Sequence, residues 1–252
     1  MENQEEILDL FFELYEPLTQ QAPGSKESTQ AAFGMVPVKN EKLEVLDIGC
    51  GTGRQTLDLA EVVNGRITAV DLHKPYIDKL DDIIKKKGLQ KKISAVTFDM
   101  NNLDFMEGAF DIIWSEGAIY QMGFEKGLKN WKKFLKKKGF VVLTEICWVK
   151  TKVPDEIRNY WNSEYPEMKY LKDLLDTAEK SGYEVLSHFT LPVKDWSVNY
   201  YKQLDDSVKA FKVKYADHPA ALQVAAESET EIDMYRRFRD YYSYAFLILQ
   251  SV

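Results

Sequence analysis

Asp47 stands two residues ahead of three glycines at alternate positions, Gly49, Gly51 and Gly53, with Cys50 between the first two. The apolar run Val45-Leu46 and Ile48 around that acid reads as a buried strand. Clustered glycines behind such a strand let the backbone turn sharply and leave room for a ligand. From Arg54 to Val63, apolar residues recur at Leu57, Leu59, Ala60 and Val63, so a helix is expected where the glycines stop. Strand, glycine turn and helix bring backbone N–H groups and a helix N-terminus to a ligand. The chemistry implied is the holding of a nucleoside-containing cofactor.

Spacing narrows the choice. A dinucleotide turn needs G-x-G-x-x-G or G-x-G-x-x-A. Counted from Gly49 the last position is Arg54, and counted from Gly51 it is Thr56. An arginine fits poorly where helix and strand must lie close. Glycines can also serve tight geometry alone, so the strands that follow carry weight. The run Arg66–Asp71 ends in an acid, about 20 residues past the glycines, where a carboxylate accepts from ribose hydroxyls. A turn or capping role competes for Asp71, because Pro75 suits the first turn of the next helix. A third run, Ile93–Phe98, ends in Asp99-Met100, and a fourth, Phe110–Trp114, in Ser115-Glu116-Gly117.

The D-x-G-x-G-x-G of Asp47–Gly53 and these strand ends, in this order, resemble the class I S-adenosylmethionine-dependent methyltransferases. Ser115–Tyr120, with Gly123–Leu128 and Trp131 after it, is similar to their ubiquinone/menaquinone-biosynthesis-like small-molecule subgroup. The resemblance covers roughly residues 1 to 200, and its one departure is Lys136-Lys137-Lys138-Gly139, where the family commonly has Pro-Gly-Gly. It implies that Asp47, Gly49, Cys50, Gly51 and Gly53 hold the methionine part of S-adenosyl-L-methionine. Asp71, with Leu72 beside it, is implied at the ribose, Asp99 and Met100 at adenine, and Ser115 where substrate and methyl group meet. Glu116 and Tyr120 are the implied catalytic residues. The amphipathic segment Ile7–Tyr15 is expected to form a helix, which in related enzymes covers the cofactor, with Tyr15 against it.

The elements that must position these residues alternate between strand and helix. Helices are expected at Arg54–Val63, Pro75–Lys87 and Phe124–Lys137, and further strands at Phe140–Trp148, Tyr183–Phe189 and Tyr242–Leu249. Such alternation predicts an α/β, doubly wound, mostly parallel sheet. The resemblance implies seven strands, the last antiparallel. One domain is expected: an N-terminal helical cap over 1–40, a cofactor-binding core over 41–190, a helical insertion or lid over 195–239, and the last strand over 240–252. Aromatic residues Tyr160, Trp161, Tyr165, Trp196, Tyr200 and Tyr201 crowd the insertion. They either pack a helical lid or line a pocket able to cage a cationic amine.

Composition bounds the function. A hydrophobic share of 45% is ordinary for a soluble globular chain. No apolar stretch approaches the ~20 residues of a membrane span, and the acidic start Met1–Glu6 lacks a signal peptide's basic region. Two cysteines, Cys50 and Cys147, make no disulfide framework. A cytoplasmic protein is expected, monomer or homodimer, acting on a small molecule and on no membrane. Net charge −7 argues against a nucleic-acid partner, and the lysine clusters at 85–92 and 129–138 fall at expected helix C-termini, where cations are favoured. No metal is expected. A sulfonium is already activated, so aligning the acceptor and excluding water would do most of the work. A base is needed only where a proton must leave. Glu145 is a further candidate, with Trp114 and Trp148 as walls; His73 and His188 read as structural or loop residues. The alternatives are an NAD-linked oxidoreductase, a non-catalytic S-adenosylmethionine-binding protein and, more weakly, aminopropyl transfer.

Overall fold

A computed structural model describes residues 2–38 and 42–252; Met1 and the cap boundary expected at residue 40 lie outside the described residues. Short apolar runs form the strands β1 (Leu43–Ile48), β2 (Gly65–Asp71), β3 (Ile93–Thr97) and β4 (Phe110–Ser115). They continue with β5 (Leu135–Trp148), β6 (Lys169–Tyr170), β7 (Tyr183–Thr190) and β8 (Tyr242–Ser251). The sheet order is β3-β2-β1-β4-β5-β8-β7, with β6 beside β5 off this path. Strand β8 runs antiparallel to both its neighbours, and the other pairs are parallel. The expected architecture stands, with the two-residue β6 as an eighth strand.

Helices cover both faces because the buried strands are apolar on both. Val45, Ile67, Trp114 and Val142 pack on one side with Leu59, Leu80 and Ile232. Their neighbours Leu46, Ile113, Val141 and Leu143 pack on the other with Leu128, Trp131 and Leu174. Alternation of period two thus feeds two cores from one set of strands. Strand order reverses between β1 and β4, and ligands of such sheets bind at the carboxyl ends of the strands flanking that reversal.

The helix expected over Phe124–Lys137 is shorter. Helix α5 is confined to Phe124–Trp131, a 3-10 turn spans Lys132–Phe134, and β5 begins at Leu135. Leu135 pairs with Phe110 and Phe140 with Ile112, so Lys136–Gly139 bulge out of the ladder and Lys138 takes φ 61°. The lysines interrupt the strand rather than close the helix.

Helices α1 (Glu2–Tyr15) and α2 (Lys26–Gly34) precede the sheet. Helices α3 (Arg54–Val62) and α4 (Lys74–Lys87) link the first three strands, and α6 (Asp155–Glu164) and α7 (Leu171–Lys180) follow β5. Between β7 and β8 lie α8 (Val193–Trp196), a π-helical turn at Ser197–Tyr201, α9 (Lys202–Lys214) and α10 (Pro219–Phe238). This insertion packs against α1: Lys214 and Tyr215 both bind Glu13, and Ser207 Oγ donates to the Leu14 carbonyl at 2.6 Å. Leu14 is fully buried there, worth about 2 kcal/mol of apolar transfer. Cap and insertion therefore form one helical layer at the strand ends. Among the described residues no helix is long and apolar enough to cross a membrane.

Candidate active site

The glycine turn closes upon itself. Gly49 and Cys50 N–H groups donate to the Val70 carbonyl, and the Gly53 N–H donates to the Cys50 carbonyl. The Gly51 N–H donates to Asp71 Oδ2 at 2.9 Å, and the Thr52 N–H to Gln21 Oε1 at 3.0 Å. Gly49 has φ 74°, and a Cβ there would lie 2.3 Å from that of Ala118. Only glycine lets β1 and the β4 loop approach so closely. The first N–H groups of α3 have no side-chain cap at Gly53.

A cavity of about 220 Å³ opens beside this turn, at the carboxyl ends of β1, β2, β3 and β4. Asp71 lies on its wall and its Oδ1 accepts from the His73 N–H at 2.9 Å. Burial raises the Asp71 pKa against these bonds. Asp99 lies further along the wall; Asn101 donates to its Oδ1 through backbone and side chain and holds its pKa down. Met100 and Phe98 supply apolar surface.

The N-terminal cap covers the opening. Phe12 stacks on His73 with ring centroids 3.8 Å apart, and Lys79 Nζ donates to the Glu16 carbonyl. Burial lowers the His73 pKa, favouring the neutral ring. Beyond α1, Gln21 reaches the glycine turn, its Oε1 also accepting from Thr52 Oγ1. Gln20 donates to the Ala22 and Gly24 carbonyls, pinning the strap that crosses the cavity.

Glu116 lies on the cavity wall but its carboxylate is held on three sides. Oε2 pairs with Arg54 Nη2 at 2.5 Å, and Oε1 accepts from Thr29 Oγ1 and Trp114 Nε1, both at 2.8 Å. Arg54 also binds Asp58. The arginine that broke the dinucleotide pattern is thus a buried partner for the acid after β4.

A second cavity, also about 220 Å³, adjoins the first. Phe11, Tyr15, Gln21, Pro23, Gly117 and Tyr120 line both. The six aromatics of the insertion region all line the second. Its remaining walls include Ile146, Tyr244, Glu164 and Glu231. Tyr201 Oη donates to Glu231 Oε1 at 2.9 Å, and burial pushes the Glu231 carboxyl up to about 7.

Of the expected site residues, Gly49, Cys50, Gly51, Asp71, Leu72, Asp99 and Met100 line the first cavity, as do Tyr15, Glu116 and Tyr120. Asp47, Gly53 and Ser115 do not. Asp47 is fully buried beneath the turn and accepts from Thr56 Oγ1. Burial pushes its carboxyl up to about 7. Gly53 caps α3 at φ 90°, with Leu80 filling the space a Cβ would need. Ser115 Oγ donates to the Ile48 carbonyl at 2.9 Å and joins β4 to β1. Trp114, Trp148 and Glu145 are buried and line neither cavity. Unexpected on the walls are Gln20, Gln21, Pro23, Gln55 and Tyr76. Nothing in the sequence signals that the strap after α1 returns to the glycine turn.

Residues 45–139 match the methyltransferase domain family. The matched segment runs from β1 into β5 and holds every wall residue of the first cavity except those of Phe11–Pro23. The sterol 24-C-methyltransferase of Candida albicans is 26% identical over 168 residues, 66% of this chain and 43% of its own length. The glycine/sarcosine/dimethylglycine N-methyltransferase of Actinopolyspora halophila is 26% identical over 139 residues, 54% of this chain and 24% of its own. The chain thus spans less than half the length of either relative. A Thiobacillus denitrificans S-adenosylmethionine-dependent methyltransferase solved with S-adenosyl-L-homocysteine shares the fold. Its TM-score is 0.83 over 96% of this chain and 98% of that one, at 16% identity. These matches show a methyltransferase domain over residues 45–139 and a fold shared with a methyltransferase, and they do not favour an NAD-linked oxidoreductase.

Proposed function

We propose that the chain binds S-adenosyl-L-methionine in the first cavity and transfers its methyl group to a small molecule seated in the second. The carrying observation is the saturation of the turn. All five N–H groups from Gly49 to Gly53 have partners within the chain, so the turn offers no nest for a pyrophosphate. The wall instead carries the Asp71 and Asp99 carboxylates and the Gly49 carbonyl, which accepts from Gln55 at 3.3 Å. Its arginine, Arg54, is already paired. That set fits a cationic ligand with a ribose and an amino-bearing base.

Bound there, S-adenosyl-L-methionine supplies a methyl group on an activated sulfonium. The residues of the chain bind, orient and exclude water. Gly49 and the uncapped start of α3 would take the amino-acid end, the latter facing its carboxylate. Asp71 retains lone pairs for ribose hydroxyls, and Asp99 Oδ2 for the adenine amino group. Tyr15, Gly117 and Tyr120, shared by both cavities, would frame the passage between cofactor and acceptor. Glu116 orders Arg54 and the strap rather than carrying a free proton-accepting oxygen. The ubiquinone-like choice of acceptor rests on the sequence of Ser115–Tyr120, Gly123–Leu128 and Trp131 alone. Thermal unfolding with S-adenosyl-L-methionine, S-adenosyl-L-homocysteine and NAD in parallel tests the proposal. At a hundred times its dissociation constant a ligand adds about 2.7 kcal/mol. A shift with the two sulfur nucleosides only is expected; a shift with NAD only would overturn it.

A further inference from the structure

We propose that the second cavity recognises its acceptor through a cationic ammonium group, seated among aromatic rings against the Glu231 carboxylate. This rests on the reading of the first cavity as a cofactor site and specifies the substrate class of the adjoining one.

The charged residues lining the second cavity are Glu164 and Glu231; no lysine, arginine or histidine lines it among the described residues. Among the described residues Glu231 makes no ion pair, and its one protein hydrogen bond is the Tyr201 hydroxyl on Oε1. A carboxylate partly removed from water with no counter-ion is costly, and burial accordingly raises the Glu231 pKa. A cation entering the cavity would restore the charged form. Tyr15, Tyr160, Tyr200 and Tyr244 line the same cavity as Glu231, near enough for its charge to raise their hydroxyl pKa values after burial has done so.

The rings of the cavity meet at several angles. Tyr160 and Trp161 meet at 75° with centroids 5.2 Å apart. Tyr200 and Tyr201 meet at 55° and 4.9 Å. Trp196 stacks on both Tyr235 and Tyr244, so it backs the wall. Aromatic faces attract ammonium groups through the ring quadrupole, most strongly where water is excluded, and cages of this composition suit quaternary ammonium. A neutral apolar acceptor would gain from the rings and nothing from the acid. An anionic acceptor would meet Glu231 and Glu164 unshielded.

Choline and its uncharged isostere 3,3-dimethylbutan-1-ol separate charge from shape. Isothermal titration would use the full chain loaded with S-adenosyl-L-homocysteine, together with Glu231→Gln and Trp161→Leu variants. Choline is expected to bind the loaded protein at least tenfold more tightly than the isostere. Glu231→Gln should abolish that preference, and Trp161→Leu should weaken choline at least threefold. Both variants should keep the S-adenosyl-L-homocysteine affinity and the circular dichroism of the parent, since neither residue lines the first cavity. Loaded protein that binds the two probes equally, or a Glu231→Gln variant that keeps the preference, overturns the ammonium assignment and leaves the cofactor reading intact. Failure of S-adenosyl-L-homocysteine to bind any of the three overturns the cofactor reading itself.

Discussion

Arg54 Nη2 and Glu116 Oε2 lie 2.5 Å apart, with side chains 14% and 2% exposed, joining the first turn of α3 to the loop after β4. Removing one member leaves the other charged and buried, which typically costs 3–5 kcal/mol, about the scale expected for Arg54→Met. Glu116→Gln keeps an acceptor for Thr29 or Arg54 and is expected to cost less. Urea unfolding of the two variants checks the order; equal and small losses would show that the pair is solvated.

Asp71 accepts from Gly51 and His73 and lies on the cavity wall. Asp71→Asn is expected to weaken S-adenosyl-L-homocysteine binding by about 1–3 kcal/mol, the range for a lost hydrogen bond to a charged group. Calorimetric titration reads this directly, and unchanged affinity would remove Asp71 from the ribose.

Phe12→Ala deletes the ring that stacks on His73. An aromatic pair contributes about 0.5–1.5 kcal/mol beyond its buried area. Faster amide exchange in α1 and weaker S-adenosyl-L-homocysteine binding are expected together. Faster exchange with unaltered affinity would mean that α1 does not serve as cover.

Among the described residues neither carboxylate oxygen of Glu145 has a hydrogen-bond partner, and burial pushes this group up to about 8. The folded chain therefore keeps the proton after the unfolded chain, titrating near 4.5, has lost it. Stability falls as pH rises between about 4.5 and 8 and levels off above. Glu145→Gln should remove this contribution, making the loss between pH 5 and pH 8 smaller by about 3 kcal/mol. Parallel slopes for parent and variant in urea titrations at both pH values would refute the assignment.

The strands and their order of appearance were legible because apolar runs, terminal acids and glycines are local signals. Which motif residues touch the cavity was less legible. Asp47, Gly53 and Ser115 belong to the same short patterns as Gly49 and Asp71, yet they build the turn from beneath: Asp47 accepts from Thr56, Ser115 donates to Ile48, and Gly53 lies against the Leu80 side chain. A pattern specifies the turn without separating its ligand side from its supporting side. Gln21 and Arg54 could not be read at all, since their partners Thr52 and Glu116 lie far along the chain. The aromatic crowd was ambiguous because packing and cavity lining require the same residue types.

At Ser197–Tyr201 the Lys202 N–H bonds back five residues to the Ser197 carbonyl, so α8 and α9 are one rod with a single widened turn. One residue added to plain α-helix would rotate everything downstream by about 100°, whereas the widened turn holds its extra residue locally. Leu204, Val208 and Phe211, buried along α9, therefore keep the phase set by α8. The widened turn is the place where the insertion can gain or lose a single residue without turning its buried side away from the sheet.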